Sequence, residues 1–370
     1  MKLDKKILRL GVGLLSASLL AACGNEGGGS SNADLDLNTL SLEEITTNAQ
    51  EEGHVESVGM PDTWANWVET WDEIEAEYGI TQADTDMSSA EELAIFKAEQ
   101  NNPTKDIGDV GQSFGPQAEE QELTLAYKTS YWDDIPEWAK DDDGDWIVGY
   151  YGTLSFMTNT NAVDEAPTSF ADILEGDYRV TVGDVTTATQ AQNAVLAAAI
   201  ANGGDETNLQ PGLDFFAKLA EQGRLDMGET SVARLEAGEI EVGLFWDFNA
   251  LNYKNQVEET NDALSFEVTV PQDGTVSSGY ATVINSTAPH PHAAALSREY
   301  ILSDEGQINL AKGYARPIRE NVELPEEVEA ILIPEDQYSA AQPISDFEAW
   351  EEAAATLGQK WQEEVLSKVN

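Results

Sequence analysis

The segment VGLFWDFNAL, Val242–Leu251, places an acid directly after an aromatic at the end of an apolar alternating run. Val242, Leu244 and Trp246 repeat at the period of a buried strand. Asp247 therefore either turns the chain or faces a ligand at the strand's carboxyl end, with Asn249 two residues on. An aspartate beside an indole suits an ammonium group, because it combines a counter-charge with an aromatic face. Other positions carry comparable chemistry. Asp62, Thr63 and Trp64 follow a short strand; they are natural helix-cap residues, and they also sit at the end of a strand where α/β sheets bind ligands. Ser88 and Ser89 precede a helix, as do Thr186, Thr187 and Gln190 further on. Hydroxyls beside free helix N–H groups suit a phosphate, phosphonate or carboxylate as well as a cap. Asp109 and Gln112 end a third strand, and Tyr151, Tyr280 and Tyr314 offer further aromatic faces. Arg316 favours an anionic group instead.

A catalytic alternative is present in GQSFG, Gly111–Gly115, which matches the G-x-S-x-G turn of α/β-hydrolases. A triad on Ser113 needs a later acid and then a histidine. The chain has three histidines: His54 lies upstream, while His290 and His292 lie in the proline-flanked APHPHAA. Ser113 thus reads as a turn or cleft-lining residue. A secreted serine hydrolase remains the alternative that labelling by an active-serine probe would test. His290 and His292 lack a defined third ligand, so no metal site and no cofactor are expected.

The charge balance narrows the partners. There are 69 acidic residues against 19 basic, a formal net charge of −50. Phosphate backbones need basic surfaces, which excludes nucleic acid, and direct contact with an anionic membrane is equally disfavoured. Such a surface suits a saline or alkaline exterior, and it also attracts cations at long range.

The N-terminus points to export. Lys2, Lys5, Lys6 and Arg9 precede a short apolar segment, Gly11 to Ala22, with the layout of a signal sequence. Leu20-Ala21-Ala22-Cys23 resembles a bacterial lipobox, which implies that Cys23, the only cysteine, is lipidated and anchors the chain at the cell surface. With one cysteine no disulfide forms within a copy. The Gly/Ser-rich stretch after it reads as a flexible tether.

The elements that must position these residues alternate. Ser41 and Glu44 have capping-box spacing ahead of a helix, and HVESVGM follows as a strand. Trp64, Trp67, Trp71 and Ile74 then predict one buried helix face. Strand–helix alternation continues through DIGDVGQSFG and predicts an α/β fold with a parallel sheet. Two long β-rich runs, WIVGYYGTLSFMTN and FEVTVPQDGTVSSGYATVIN, read as crossings between two lobes. The last helix, within DFEAWEEAAATLGQKWQEEVLSKV, has apolar spacing suited to docking on a domain.

With these elements placed, the chain resembles the lipoprotein substrate-binding components of ABC importers. HPHAAALSREYILSDEGQINLAKGYARPI is similar to a segment of family 1 extracellular solute-binding proteins, through Ser303, Glu305, Gly306, Gln307 and Pro317. YYGTLSFMTN resembles their crossing segment, notably in polyamine-binding members. The resemblance implies a two-lobed periplasmic-binding-protein-like (type II) fold whose hinged cleft closes on a small solute and delivers it to permease subunits. It implies a monomer without catalytic function; a sensor would have the same sequence. It also implies that an aromatic and an acid near Trp246 and Asp247 join the ligand cage. An organic cation such as a polyamine is preferred, with a phosphonate or phosphorylated solute open and iron-binding relatives in the same family. The expected division is a signal segment over 1–22, a tether over 23–40, lobe 1 over 41–155 and 269–320, lobe 2 over 156–268, and a C-terminal extension over 321–370. The candidate ligand contacts are Asp62, Trp64, Ser88, Ser89, Asp109, Gln112, Tyr151, Thr187, Gln190, Trp246, Asp247 and Tyr280.

Overall fold

The computed structural model describes residues 32–369; the signal segment, Cys23 and most of the tether lie outside the described residues. Among the described residues there are eleven strands: β1 His54–Val58, β2 Thr81–Thr85, β3 Ile107–Gly111, β4 Trp146–Asn159, β5 Val180–Thr181, β6 Leu225–Asp226, β7 Val242–Trp246, β8 Phe266–Thr269, β9 Thr275–Ile284, β10 Arg316–Pro317 and β11 Ala341–Pro343. The main path runs β2-β1-β3-β9-β4-β7-β5-β6.

The parallel pairing expected from the alternation is found at both ends of this path, β2-β1-β3 and β7-β5-β6. Its centre is antiparallel. β4 pairs with β9 through Trp146–Thr153 and with β7 through Leu154–Thr158. One 14-residue strand therefore serves both halves of the sheet, and β9 runs back against it. Strands crossing between lobes in opposite directions can only pair antiparallel, which is why the α/β periodicity breaks here. The result is a two-lobed α/β fold with β4 and β9 as the hinge.

Local signals set most helix starts. Ser41 and Glu44 form a reciprocal capping box on Leu42–Glu52, and Ser88 with Glu91 does the same for Ser89–Ala98. The tryptophan stripe departs from expectation at its first member. The helix begins at Trp67, and Trp64 lies outside it in the loop after β1. Ala65 and Asn66 adopt left-handed backbone angles, φ 47° and 60°. Asn66 is held there because its Nδ2 donates to Asn309 O and to Glu69. Gly313 makes the approach possible, since a Cβ at that position would lie 2.4 Å from the Ala65 carbonyl carbon. Trp67, Trp71 and Ile74 fill the core as expected, while Trp64 is left to face elsewhere.

The C-terminal segment returns across the hinge. β11 pairs with β9 at Thr275–Ser277. The helix Phe347–Lys360 and the turns after it then pack on lobe 2, where Trp361 meets Phe216 edge to face at 5.2 Å.

Candidate functional site

Between the lobes lies a cavity of about 290 Å³. Lobe 1 supplies the loop after β1 (Gly59, Pro61, Trp64), the start of Ser89–Ala98, and Asp109 on β3. Lobe 2 supplies the start of the helix Thr189–Ala201 and one face of the helix Asp247–Thr260, through Asn249 and Tyr253. Tyr280 on the hinge strand β9 completes the wall.

The lobe 1 wall is an acidic cup. Asp109 and Glu92 are 2 % and 1 % exposed, and Asp86 stands at the mouth. Tyr150 donates its hydroxyl to Asp109 Oδ2 at 2.5 Å and accepts the Trp64 indole N–H at 2.7 Å. This chain fixes the Trp64 ring beside the acid. Asp109 Oδ1 closes no bond of good geometry, although the Trp67 indole faces the same carboxyl. Glu92 Oε2 accepts the Asp109 N–H at 3.1 Å. Burial, opposed for Asp109 by the Tyr150 hydroxyl, pushes both carboxyls well above the usual range, and each has further carboxylates around it. Among the described residues, no lysine, arginine or histidine lines the cavity.

Aromatic rings frame the cup. Trp64 meets Tyr280 and Phe248 edge to face, each at 5.4 Å. Tyr253 faces Asp86 from lobe 2, and burial followed by that charge pushes its phenol up to about 12. The lobes touch through Ser89 Oγ and Thr189 Oγ1 at 3.3 Å, Asn252 on the Thr63 carbonyl, and Asn255 on Tyr314.

Comparison with known proteins places this arrangement. Residues 102–339 match the family described as bacterial extracellular solute-binding protein. The chain belongs to this family. No curated protein matches by sequence. Among solved structures, the periplasmic binding protein AfuA from Actinobacillus pleuropneumoniae, with exogenous fructose-6-phosphate bound, has a TM-score of 0.68 at 21% identity, covering 84% of this chain and 98% of that one. Iron-bound HitA from Pseudomonas aeruginosa gives 0.64 at 15%, covering 83% and 98%. The spermidine/putrescine substrate-binding protein PotD from Streptococcus pneumoniae gives 0.62 at 16%, covering 84% and 99%. These likenesses establish the two-lobed fold of ABC-type binding proteins. Members of the family are binding proteins that hand small molecules to permease subunits, which does not favour the reading of Ser113 as a nucleophile. The three histidines of this binding protein bear on the same point, being paired with Glu56, Asp106 and Glu52. Among the described residues no helix is long and apolar enough to cross a membrane.

Of the candidate contacts, the binding protein brings Trp64, Ser88, Ser89, Asp109, Gln190 and Tyr280 together at the cavity. Several of their polar atoms are already committed. The Ser88 hydroxyl donates to the Glu91 carboxylate, and Ser89 Oγ accepts the Gly111 N–H. Gln190 Oε1 accepts the Trp246 N–H at 3.0 Å.

The other six lie off the cavity. Asp62 is exposed on the outer rim near Asn252 and Asn255. Gln112 ties β3 to its surroundings through Trp138 O and the Gly279 N–H. Tyr151 follows Tyr150 on β4, so it points to the opposite face and meets Trp138. Thr187 donates to Asp184 at 3.1 Å, because the helix starts two residues later than the threonines suggest. Trp246 is fully buried and donates its indole N–H to the Tyr280 hydroxyl oxygen.

Asp247 sits in the hinge. Its Oδ1 accepts the N–H groups of Thr153 and Phe248, each at 2.9 Å, and its Oδ2 accepts the Tyr338 hydroxyl at 2.6 Å. Arg316 stacks on Tyr338 at 4.1 Å. Burial raises the Asp247 carboxyl, while these donors and Arg316 pull it back.

Sequence reasoning missed Glu92, Asp86, Thr189, Thr230 and Tyr253. Helical spacing held part of the signal. Glu92 is three residues from Ser89, and Tyr253 four from Asn249, so each pair shares a helix face.

Proposed function

We propose that this protein captures a small organic cation at the cell surface and passes it to an ABC permease, with Cys23 as its lipid anchor. The observation that carries the reading is the cavity wall itself: Glu92, Asp109 and Asp86 with Trp64, Tyr253 and Tyr280, and no basic side chain among the described residues. An ammonium group finds both the counter-charge and the aromatic faces it needs there. A phosphorylated solute meets carboxylates instead, and Ser88 and Ser89 are already engaged. A ferric ion would want phenolates, whereas Tyr253 is pushed up to about 12. The cavity is small, so a solute of a few carbon atoms fits better than a long polyamine. Asp247 is assigned to the hinge rather than to the ligand. The change of β4's partner between Thr153 and Phe156, and the end of β8 at Thr269, support lobe boundaries near residues 155 and 268.

The test is a thermal-shift screen with putrescine, spermidine, choline, fructose 6-phosphate and ferric citrate. A ligand that binds only the folded state raises the midpoint with its concentration. The amines are expected to do so. A shift with the anions or ferric citrate alone would sink the cation reading.

A further inference from the structure

One buried acid of the cup has no cation among the described residues to balance it. Glu92 is 1 % exposed on the first turn of Ser89–Ala98. Its carboxyl is pressed into a slot that two glycines keep open. A Cβ at Gly59 would lie 2.4 Å from Oε1, and one at Gly108 would lie 2.6 Å from Oε2. The slot supplies a single backbone donor, the Asp109 N–H on Oε2. The charged and titratable groups facing it are all acidic: Asp109 on β3, Asp84 and Asp86 around the end of β2, and Tyr280 on β9. Tyr253 approaches from lobe 2, and Lys105 is spent before β3 on Glu56 and Thr85.

Two neighbouring buried carboxylates without a cation are costly, and such a pair sheds the cost by keeping a proton. Asp109 has the Tyr150 hydroxyl to stabilise its anion, whereas Glu92 has only the one N–H. The donor count thus favours Glu92 over Asp109 as the carboxyl that keeps a proton. We propose that Glu92 is protonated in the ligand-free cleft and releases that proton to solvent when a protonated amine enters, so that capture exchanges one cation for one proton. The exchange balances: the ammonium brings one positive charge, the carboxylic acid loses one proton to the buffer, and no other bond forms or breaks. It rests on the cation reading above, and it makes Glu92 the residue that sets the charge of the solute. The direction of the Glu92 shift agrees with it. Below the pH at which free Glu92 ionises, release of one proton raises affinity about tenfold per pH unit.

The first experiment titrates putrescine calorimetrically near neutral pH in phosphate and in MOPS, whose protonation enthalpies differ and neither of which is a primary amine. The expected heat difference corresponds to about one proton released per putrescine bound, and Glu92→Gln abolishes it together with the pH dependence of affinity. Putrescine binding with the same heat in both buffers would overturn the exchange and leave the cation reading standing. The second experiment needs no ligand. The infrared difference between wild-type protein and Glu92→Gln near neutral pH is expected to contain a protonated-carboxyl band. Absence of that band, with both proteins folded by circular dichroism, overturns the proposal whatever amines do. If the band is present but putrescine, spermidine and choline all give no heat, the cation reading fails while the proton on Glu92 stands.

Discussion

Asp109 and Asp247 answer the same local description and end in different circumstances. Each is a buried acid at or near the carboxyl end of a strand with aromatic rings around it. Asp247 is saturated: two backbone N–H groups and the Tyr338 hydroxyl take both oxygens. Asp109 has one firm donor, Tyr150, and shares its wall with Glu92 and a cavity. What separates a hinge anchor from an acid left open on a cavity wall is therefore the supply of donors from the rest of the fold, which the local sequence does not contain. Tyr338 lies 91 residues from Asp247.

That contrast can be broken by substitution, and the largest effect should come from the cup. Asp109→Asn keeps the shape and removes the charge. Amine binding is expected to weaken by at least about 2 kcal/mol, roughly 30-fold, as for other buried charge partners. A dissociation constant within threefold of wild type would place the solute elsewhere. Asp247→Asn should do the opposite. Three hydrogen bonds to a charged acceptor are weakened, so stability falls by about 1–3 kcal/mol while affinity stays within a few-fold. Denaturant unfolding beside calorimetric titration separates the two, and a large affinity loss without a stability loss would return Asp247 to the ligand. Trp64→Leu, which removes an aromatic face, should cost about 1–2 kcal/mol of amine affinity and leave any neutral solute unaffected. The smallest change is expected for Tyr338→Phe, about 1 kcal/mol of stability from one lost hydrogen bond, with binding intact.

Much of the architecture was legible because it is written locally. The capping boxes at Ser41–Glu44 and Ser88–Glu91, the strand periods and the glycine-punctuated crossing run are all short-range patterns. The site was half legible for the complementary reason. Trp64 read as the first rung of a helical stripe, and it was freed by Asn66, which Asn309 and Gly313 hold from more than 240 residues away. Glu92 sits in AEELAIFKA beside Glu91, which is exposed on the helix surface. Nothing in that stretch separates the two acids; only the slot between Gly59 and Gly108 does. Thr186 and Thr187 looked like a helix start, and Asp184 drew them into a turn instead.

The returning C-terminal segment has a practical consequence. The helix Leu42–Glu52 is fastened to lobe 1, with Glu52 accepting from His292 and Ala293, and Asn32 reaches the Ala288 carbonyl. The other end of the described chain is fastened to lobe 2, where Trp361 packs on Phe216 and Lys368 pairs with Glu221. The two ends of the fold thus sit on different lobes. A donor and acceptor dye near residues 42 and 366 would form a distance gauge for the cleft, reporting capture optically without a label at the solute site.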